Sequence, residues 1–146
     1  MVPDVPLTTG LEELSERQCL ELLESQDLGR LAVVFQGQPE IFPVIYALDA
    51  TGAIVFRTSD GTKLSSALNR PVTFEVDWAD RDAHDGWSVV VHGVAHHTET
   101  ISHGSRRLAT WLPGRSYLVR ITRTSITGRR VPETTDPRRR RDDHHR

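Results

Sequence analysis

Several things are scarce in this sequence, and each scarcity excludes something. Of 146 residues one is cysteine, Cys19. No internal disulfide can form, a reducing compartment suits the chain, and no zinc pattern built on cysteine pairs is available. No apolar run approaches the roughly 20 residues that span a bilayer. Met1 to Pro6 have neither a basic n-region nor an apolar h-region, so no signal peptide is expected and the expected location is the cytoplasm. A dominant charge is missing too. The 18 basic and 20 acidic residues leave a net charge of −2, which argues against a dedicated nucleic-acid binder. There is no Walker A pattern, no GxGxxG after a strand and no GxSxG elbow. Lysine is nearly absent: 17 of the 18 basic residues are arginine, and the exception is Lys63.

The rest is ordinary globular material. With 37% hydrophobic and 26% charged residues, the chain can bury one core. Residues 1–10, with two prolines, read as an extended arm, and 11–131 as one domain. Residues 132–146 have no apolar residue beyond prolines and are predicted to be disordered. In that tail Asp136, Asp142 and Asp143 partly cancel the run Arg138 to Arg141, so a solvated segment is expected rather than a binding arm.

Hydrophobic periodicity organises the domain. Ser15 and Gln18 form a capping box for a short helix, about 15–26, with Cys19, Leu22 and Leu23 on its apolar stripe. Cys19 there reads as a buried thiol, and Gly29 as the helix terminator. Short apolar runs then follow at 31–35, 41–48 and 53–57, separated by Gly and Asp turns, as in antiparallel hairpins. Pro43 inside the second run marks an edge or a bulge. A short polar helix, about 61–68, precedes strands at 72–78 and 87–96, with a charged loop at 79–85 between them. Gly93 marks a bulge or bend. A weak helix at 100–110 and a strand at 116–122, extended by 126–131, complete the pattern. About six strands with only short helices predict a mainly β chain, a closed or nearly closed antiparallel barrel. Four residues of strand put His92 and His96 about 13 Å apart, too far for one ion, and no metal site is expected.

The stretch Arg57-Thr58-Ser59-Asp60-Gly61-Thr62-Lys63-Leu64 carries the most chemistry. A strand ends in Arg57-Thr58, a Ser-Asp-Gly turn follows, and Thr62-Lys63 opens a helix. A guanidinium, hydroxyls, an ammonium and the first N–H groups of a helix converge there, which are the parts of a phosphate site. A capped helix with a solvated lysine is the plainer alternative.

Taken in order with Cys19–Ala32, Pro43–Tyr46, Phe74–Asp77, Gly86–Ala95 and Gly128–Arg130, this segment resembles the pyridoxamine 5′-phosphate oxidase-like family of FMN-binding split barrels. It looks closest to the small branch of flavin and deazaflavin oxidoreductases and nitroimidazole-resistance proteins. The resemblance implies a six-stranded antiparallel split β-barrel that forms a homodimer, with two flavin sites at the interface. Lys63 would meet the FMN phosphate beside Arg57, Thr58 and Thr62. Pro43, Val44 and Ile45 would line the isoalloxazine. Ser88 falls where the larger oxidases place a glutamine, and Trp87 would pack on the ring, line the interface or fill the core. No catalytic side chain is assigned. The C-terminal segment with which the full oxidases hold their substrate phosphate is not placed here, so pyridoxamine phosphate oxidase activity is not expected. The expected function is FMN-dependent oxidation or reduction of a small molecule. Alternatives on the same fold are a deazaflavin-dependent reductase and a non-catalytic flavin-binding or regulatory protein.

Overall fold

The computed structural model describes residues 10–59, 61–99 and 116–132. The arm before residue 10, the helix expected at 100–110 and the tail from residue 133 lie outside the described residues. In chain order the elements are β1 (Glu12–Glu13), α1 (Glu16–Glu24), β2 (Leu28–Phe35), β3 (Gln38–Leu48), β4 (Ile54–Ser59), α2 (Thr62–Ala67), β5 (Pro71–Asp80), β6 (Asp85–Thr98) and β7 (Ser116–Arg130). The strands run β7-β4-β3-β2-β5-β6, and β6 pairs with β7 again, so six antiparallel strands close a barrel. β1 adds two residues to the end of β7, Glu12 opposite Arg130 and Glu13 opposite Arg129; no apolar pattern announces it.

The expected capping box opens α1. Ser15 Oγ accepts from the Gln18 N–H at 3.2 Å, and Gln18 Oε1 accepts from the Ser15 N–H at 2.8 Å. Cys19 and Leu23 face the core, and burial pushes the Cys19 thiol pKa up. The helix caps at Ser25 and not at Gly29, which lies inside β2. Gly29 serves packing instead: a Cβ there would lie 2.2 Å from Phe74 Cζ, so the ring of the neighbouring strand occupies that space. β2 and β3 are joined through Gln36 and Gly37, both with positive φ (50° and 76°), the handedness a two-residue hairpin requires.

Inward side chains alternate along every strand. Leu31, Tyr46, Phe56, Phe74, Val89 and Ile121 are among the fully buried residues of one core. Tyr46 and Phe74 meet edge to face at 5.1 Å. β7, expected in two pieces, is one 15-residue strand. Its register against β6 slips between His92, opposite Ser125, and Gly93, opposite Arg123, which leaves Thr124 as the extra residue of a bulge. The extra residue lets Val119 and Ile121 face the core on one side of the bulge and Ile126 and Gly128 on the other.

One seam is short. β3 and β4 pair only through Tyr46–Leu48 and Ile54–Phe56, whereas β3 residues 38–45 pair with β2 alone. The barrel wall is split there. The Tyr46 N–H donates toward β2, to Asp27 O at 3.0 Å, so by strand alternation the missing donor of Pro43 faces the split. Pro43 is thus an edge proline. α2 lies over the barrel mouth beside the split, with Leu64 and Ala67 in the core. Asn69, just after it, donates its N–H to Ala95 O at 2.7 Å and contacts His96 Nδ1 at 3.1 Å, which anchors the segment to β6. No helix among the described residues is long and apolar enough to cross a membrane.

Candidate functional site at the barrel mouth

Sheet order puts β4 between β7 and β3, and its C-terminal end carries Arg57, Thr58 and Ser59. Arg57 pairs with Leu118 and Thr58 with Tyr117. Thr58 shares the inward face with Phe56, and Arg57 shares the outward face with Val55. At this mouth a pocket of about 250 Å³ is bounded by Thr58, Ser59, Gly61 and Ser65 on one side and by Leu64, Leu68 and Val119 below. His97 and Tyr117 also line it, with ring centroids 6.0 Å apart at 62°. Three hydroxyls and one aromatic pair therefore border one cavity.

Lys63 reaches the other way. Its Nζ lies 2.9 Å from Glu40 Oε1 on β3, the two side chains being 47% and 28% exposed. The ion pair ties α2 to β3. Thr62 opens α2, and Gly61 caps it without a side-chain hydrogen bond. The lysine is therefore not simply solvated. Its ammonium has an anionic partner already in place.

The sequence-derived site residues fall into two groups. Pro43, Val44 and Ile45 lie on β3 along one edge of the split. Extending the β3–β4 register sets Ile45 and Val44 across it from Arg57 and Thr58. Val44 points into the core, Ile45 is half-buried and Pro43 is exposed. Trp87 and Ser88 lie elsewhere. Trp87 is buried in the core at 7% exposure. Both residues border a second pocket, about 370 Å³, with Leu11, Trp78 and Arg129. Arg57 is opposite Leu118 and Ser88 is opposite Arg129. That separation along β7 is roughly 35 Å at strand rise. Within one chain Thr58 and the Trp87–Ser88 pair line separate pockets.

An acid–base cluster lies between them on the outer face. Arg30, opposite Pro43 in β3 and Glu75 in β5, places Nη1 3.1 Å from Glu75 Oε1 and 3.2 Å from Asp77 Oδ1. Asp77 is opposite Ser88. Burial, followed by the neighbouring Asp77 carboxyl, pushes the Glu75 carboxyl up to about 7 against the pull of Arg30. A carboxyl raised on folding binds its proton more tightly in the native state. Its contribution is therefore fully present below the ordinary glutamate range and is lost as pH rises to about 7. We expect Glu75→Gln to raise the melting temperature relative to the parent at pH 8 and to have little effect at pH 4.5. Thermal melts at both pH values check this. A gain of equal size at both would show that the raised carboxyl is not its source.

Sequence reading missed Ser59, Ser65, His97 and Tyr117 as site residues. Ser59 lies inside the segment singled out and Ser65 is the residue after it, so that segment's spacing could have assigned both. The two rings arrive through β4–β7 and β6–β7 pairing, which leaves no local signal. Among the described residues no group of three or more His, Cys, Asp or Glu is arranged to hold a metal ion.

A closed antiparallel barrel, split between β3 and β4 beside a short helix, defines this as a split-barrel protein. More particularly, the chain belongs to the pyridoxamine 5′-phosphate oxidase family, whose profile matches residues 15–130. It is similar to the solved FAD-binding protein of Mycobacterium smegmatis at 36% identity, covering 82% of this chain and 97% of that one, with a TM-score of 0.65. A Mycobacterium tuberculosis protein, the uncharacterized Rv0080, is 31% identical over 129 residues, 82% of this chain and 84% of that protein. An FAD-binding protein of Mesorhizobium loti shares the fold at 24% identity, covering 84% of this chain and 99% of that one, with a TM-score of 0.69.

Proposed function

We propose that this protein is a flavin-dependent oxidoreductase that holds the flavin phosphate at the end of β4 and works as a homodimer. The observation that carries the reading is the donor set gathered where β4 ends and α2 begins: the hydroxyls of Thr58, Ser59 and Ser65 line the pocket there, and the Lys63 ammonium stands on the β3 side, paired with Glu40. This donor set fits a phosphate: the hydroxyls donate, and the Arg57 guanidinium and Lys63 ammonium offset its charge. FMN is the smallest flavin that satisfies it. The bound flavin supplies the hydride or electron transfer. The chain's own residues position it: Lys63, Arg57, Thr58 and Thr62 at the phosphate, Pro43 to Ile45 along the ring.

The roughly 35 Å between the phosphate turn and Ser88 supports a dimer. A second protomer would bring its Trp87–Ser88 end to the first protomer's split, as the family's interface sites imply. Exposed apolar side chains on the outer face of β2 and β3, Val34 at 60% and Ile41 at 66%, suit such a contact.

Flavin titration tests the reading. FMN at a hundredfold excess over its Kd is expected to stabilise the fold by about 2.7 kcal/mol and to raise the melting temperature accordingly. Unchanged melting with both FMN and FAD would remove the proposal. Bleaching of the bound flavin by NAD(P)H or a reduced deazaflavin is expected of an oxidoreductase. Tight binding without bleaching by any donor points instead to a non-catalytic flavin carrier.

A further inference from the structure

We infer that two copies of this chain meet through the outward face of β2, β3, β5 and β6, and that Arg30, Glu75 and Asp77 at its centre form a lock that loosens as pH rises. The inference rests on the homodimer proposed above and adds its contact face and its regulation. Strand pairing aligns one outward row across all four strands: Pro43, Arg30, Glu75 and Val90. Continuing the β2–β5 register aligns a second: Ile45, Leu28, Asp77 and Ser88. The surround is apolar and uncovered, with Leu28 51%, Val34 60% and Ile41 66% exposed. An apolar face of this kind with one acid–base cluster at its middle marks an interaction surface.

The occupant is a second copy because the face complements itself. Arg30 stands on β2 and Glu75 opposite it on β5. A two-fold axis running along the strands between β2 and β5 lays each copy's β2 over the other's β5, guanidinium over carboxyl. The same operation lays β6 over β3. It sets Ser88 of each copy against Ile45 of the other, at the edge of the split, and so completes two sites at once.

The lock follows from charge. Arg30 bonds Glu75 at 3.1 Å and Asp77 at 3.2 Å, one cation against two carboxyls. Val90, opposite Glu75 on β6, carries no charge, and His92, diagonal to it, is exposed. With Glu75 protonated the cluster is neutral. With Glu75 ionised each copy brings one net negative charge to the axis, and burying uncompensated charge is costly. The Glu75 carboxyl is already pushed up to about 7 in one copy, and cover by a second copy raises it further. A proton held more tightly in the dimer makes association strongest below that range and weaker as pH rises through it.

Sedimentation of the full chain at pH 6 and pH 8, without added flavin, tests this. Where the dimer is too tight to dilute apart, subunit exchange between two labelled batches gives the same comparison. The dimer is expected to dissociate about tenfold or more readily at pH 8. Glu75→Gln keeps the shape without the charge, and is expected to hold the dimer at its pH 6 strength at both values. Ile41→Lys, at an exposed position, is expected to weaken the dimer about tenfold at both while the circular dichroism spectrum stays unchanged. His92→Gln is expected to leave the pH dependence in place. Equal association of the parent at both pH values would overturn the lock and leave the homodimer standing. So would a pH dependence that survives in Glu75→Gln or vanishes in His92→Gln. A dimer untouched by Ile41→Lys would overturn the face. A monomer at both pH values would overturn this contact and the homodimer together, whereas a pH-dependent dimer that binds no flavin would overturn the flavin reading alone.

Discussion

Replacing Gly93 with alanine is expected to cost about 3 kcal/mol of stability, and about 10 °C in melting temperature. A Cβ at this position would lie 2.4 Å from Thr122 O, 2.8 Å from Ile121 Cγ2 and 3.0 Å from Arg123 Cα. Two of these atoms are backbone, so no rotamer change relieves the clash. The strand itself would have to move, and it is the strand that closes the barrel against both β6 and β4. Denaturant and thermal melts of Gly93→Ala check the expectation. A loss below about 1 kcal/mol would mean that the bulge relaxes without opening the seam. The same displacement of β7 would carry along the strand to Tyr117, opposite Thr58. A variant that still folds should therefore also bind flavin more weakly.

That bulge also explains where sequence reading stopped. Strand periodicity is legible while alternate residues keep one face, as in Val72 to Trp78 or Trp87 to His96. In β7 the inward face switches from odd to even positions across Arg123 to Ser125. A period-2 pattern then reads as two fragments, although the backbone is continuous. The capping box of α1 was legible because its two hydrogen bonds join residues three apart. Gly29 was misread because its reason is distant: the ring that excludes a side chain there belongs to Phe74 on β5, four elements later in the chain. β1 is two residues long and carries no apolar period.

The candidate site divides along the same line. Arg57 to Lys63 are contiguous, so their chemistry could be read directly, including the turn that brings them together. What the lysine touches could not. Glu40 reaches it from β3, 23 residues earlier, through the closure of the barrel. Tyr117 and His97 join the pocket through pairings of β7 with β4 and of β6 with β7, which sequence spacing does not encode. Ser88 and Trp87 came from family resemblance, and their distance from the turn within one chain is itself informative. The proposed homodimer would bring a second protomer's Ser88 to that turn.

Lys63→Ala is expected to weaken flavin binding roughly ten- to a hundredfold, the range for losing one charged hydrogen bond. Two effects act together. The variant removes the ammonium, and it leaves Glu40, 28% exposed, as an unpaired carboxylate beside an incoming phosphate. The lysine–glutamate pair is itself exposed enough to contribute less than about 1 kcal/mol to folding, so the melting temperature of the ligand-free variant should barely move. Glu40→Gln separates the two effects. Alone, it frees Lys63 from its competing partner and should tighten flavin binding by up to about fivefold. Combined with Lys63→Ala, it should restore part of the lost affinity, because the repulsive charge is gone while the missing ammonium is not. The cycle is read from four flavin titrations with a thermal melt of each protein. If Lys63→Ala stays within about twofold of the parent, Lys63 returns to being a surface clasp between α2 and β3, and the phosphate must be held by Arg57 and the hydroxyls alone.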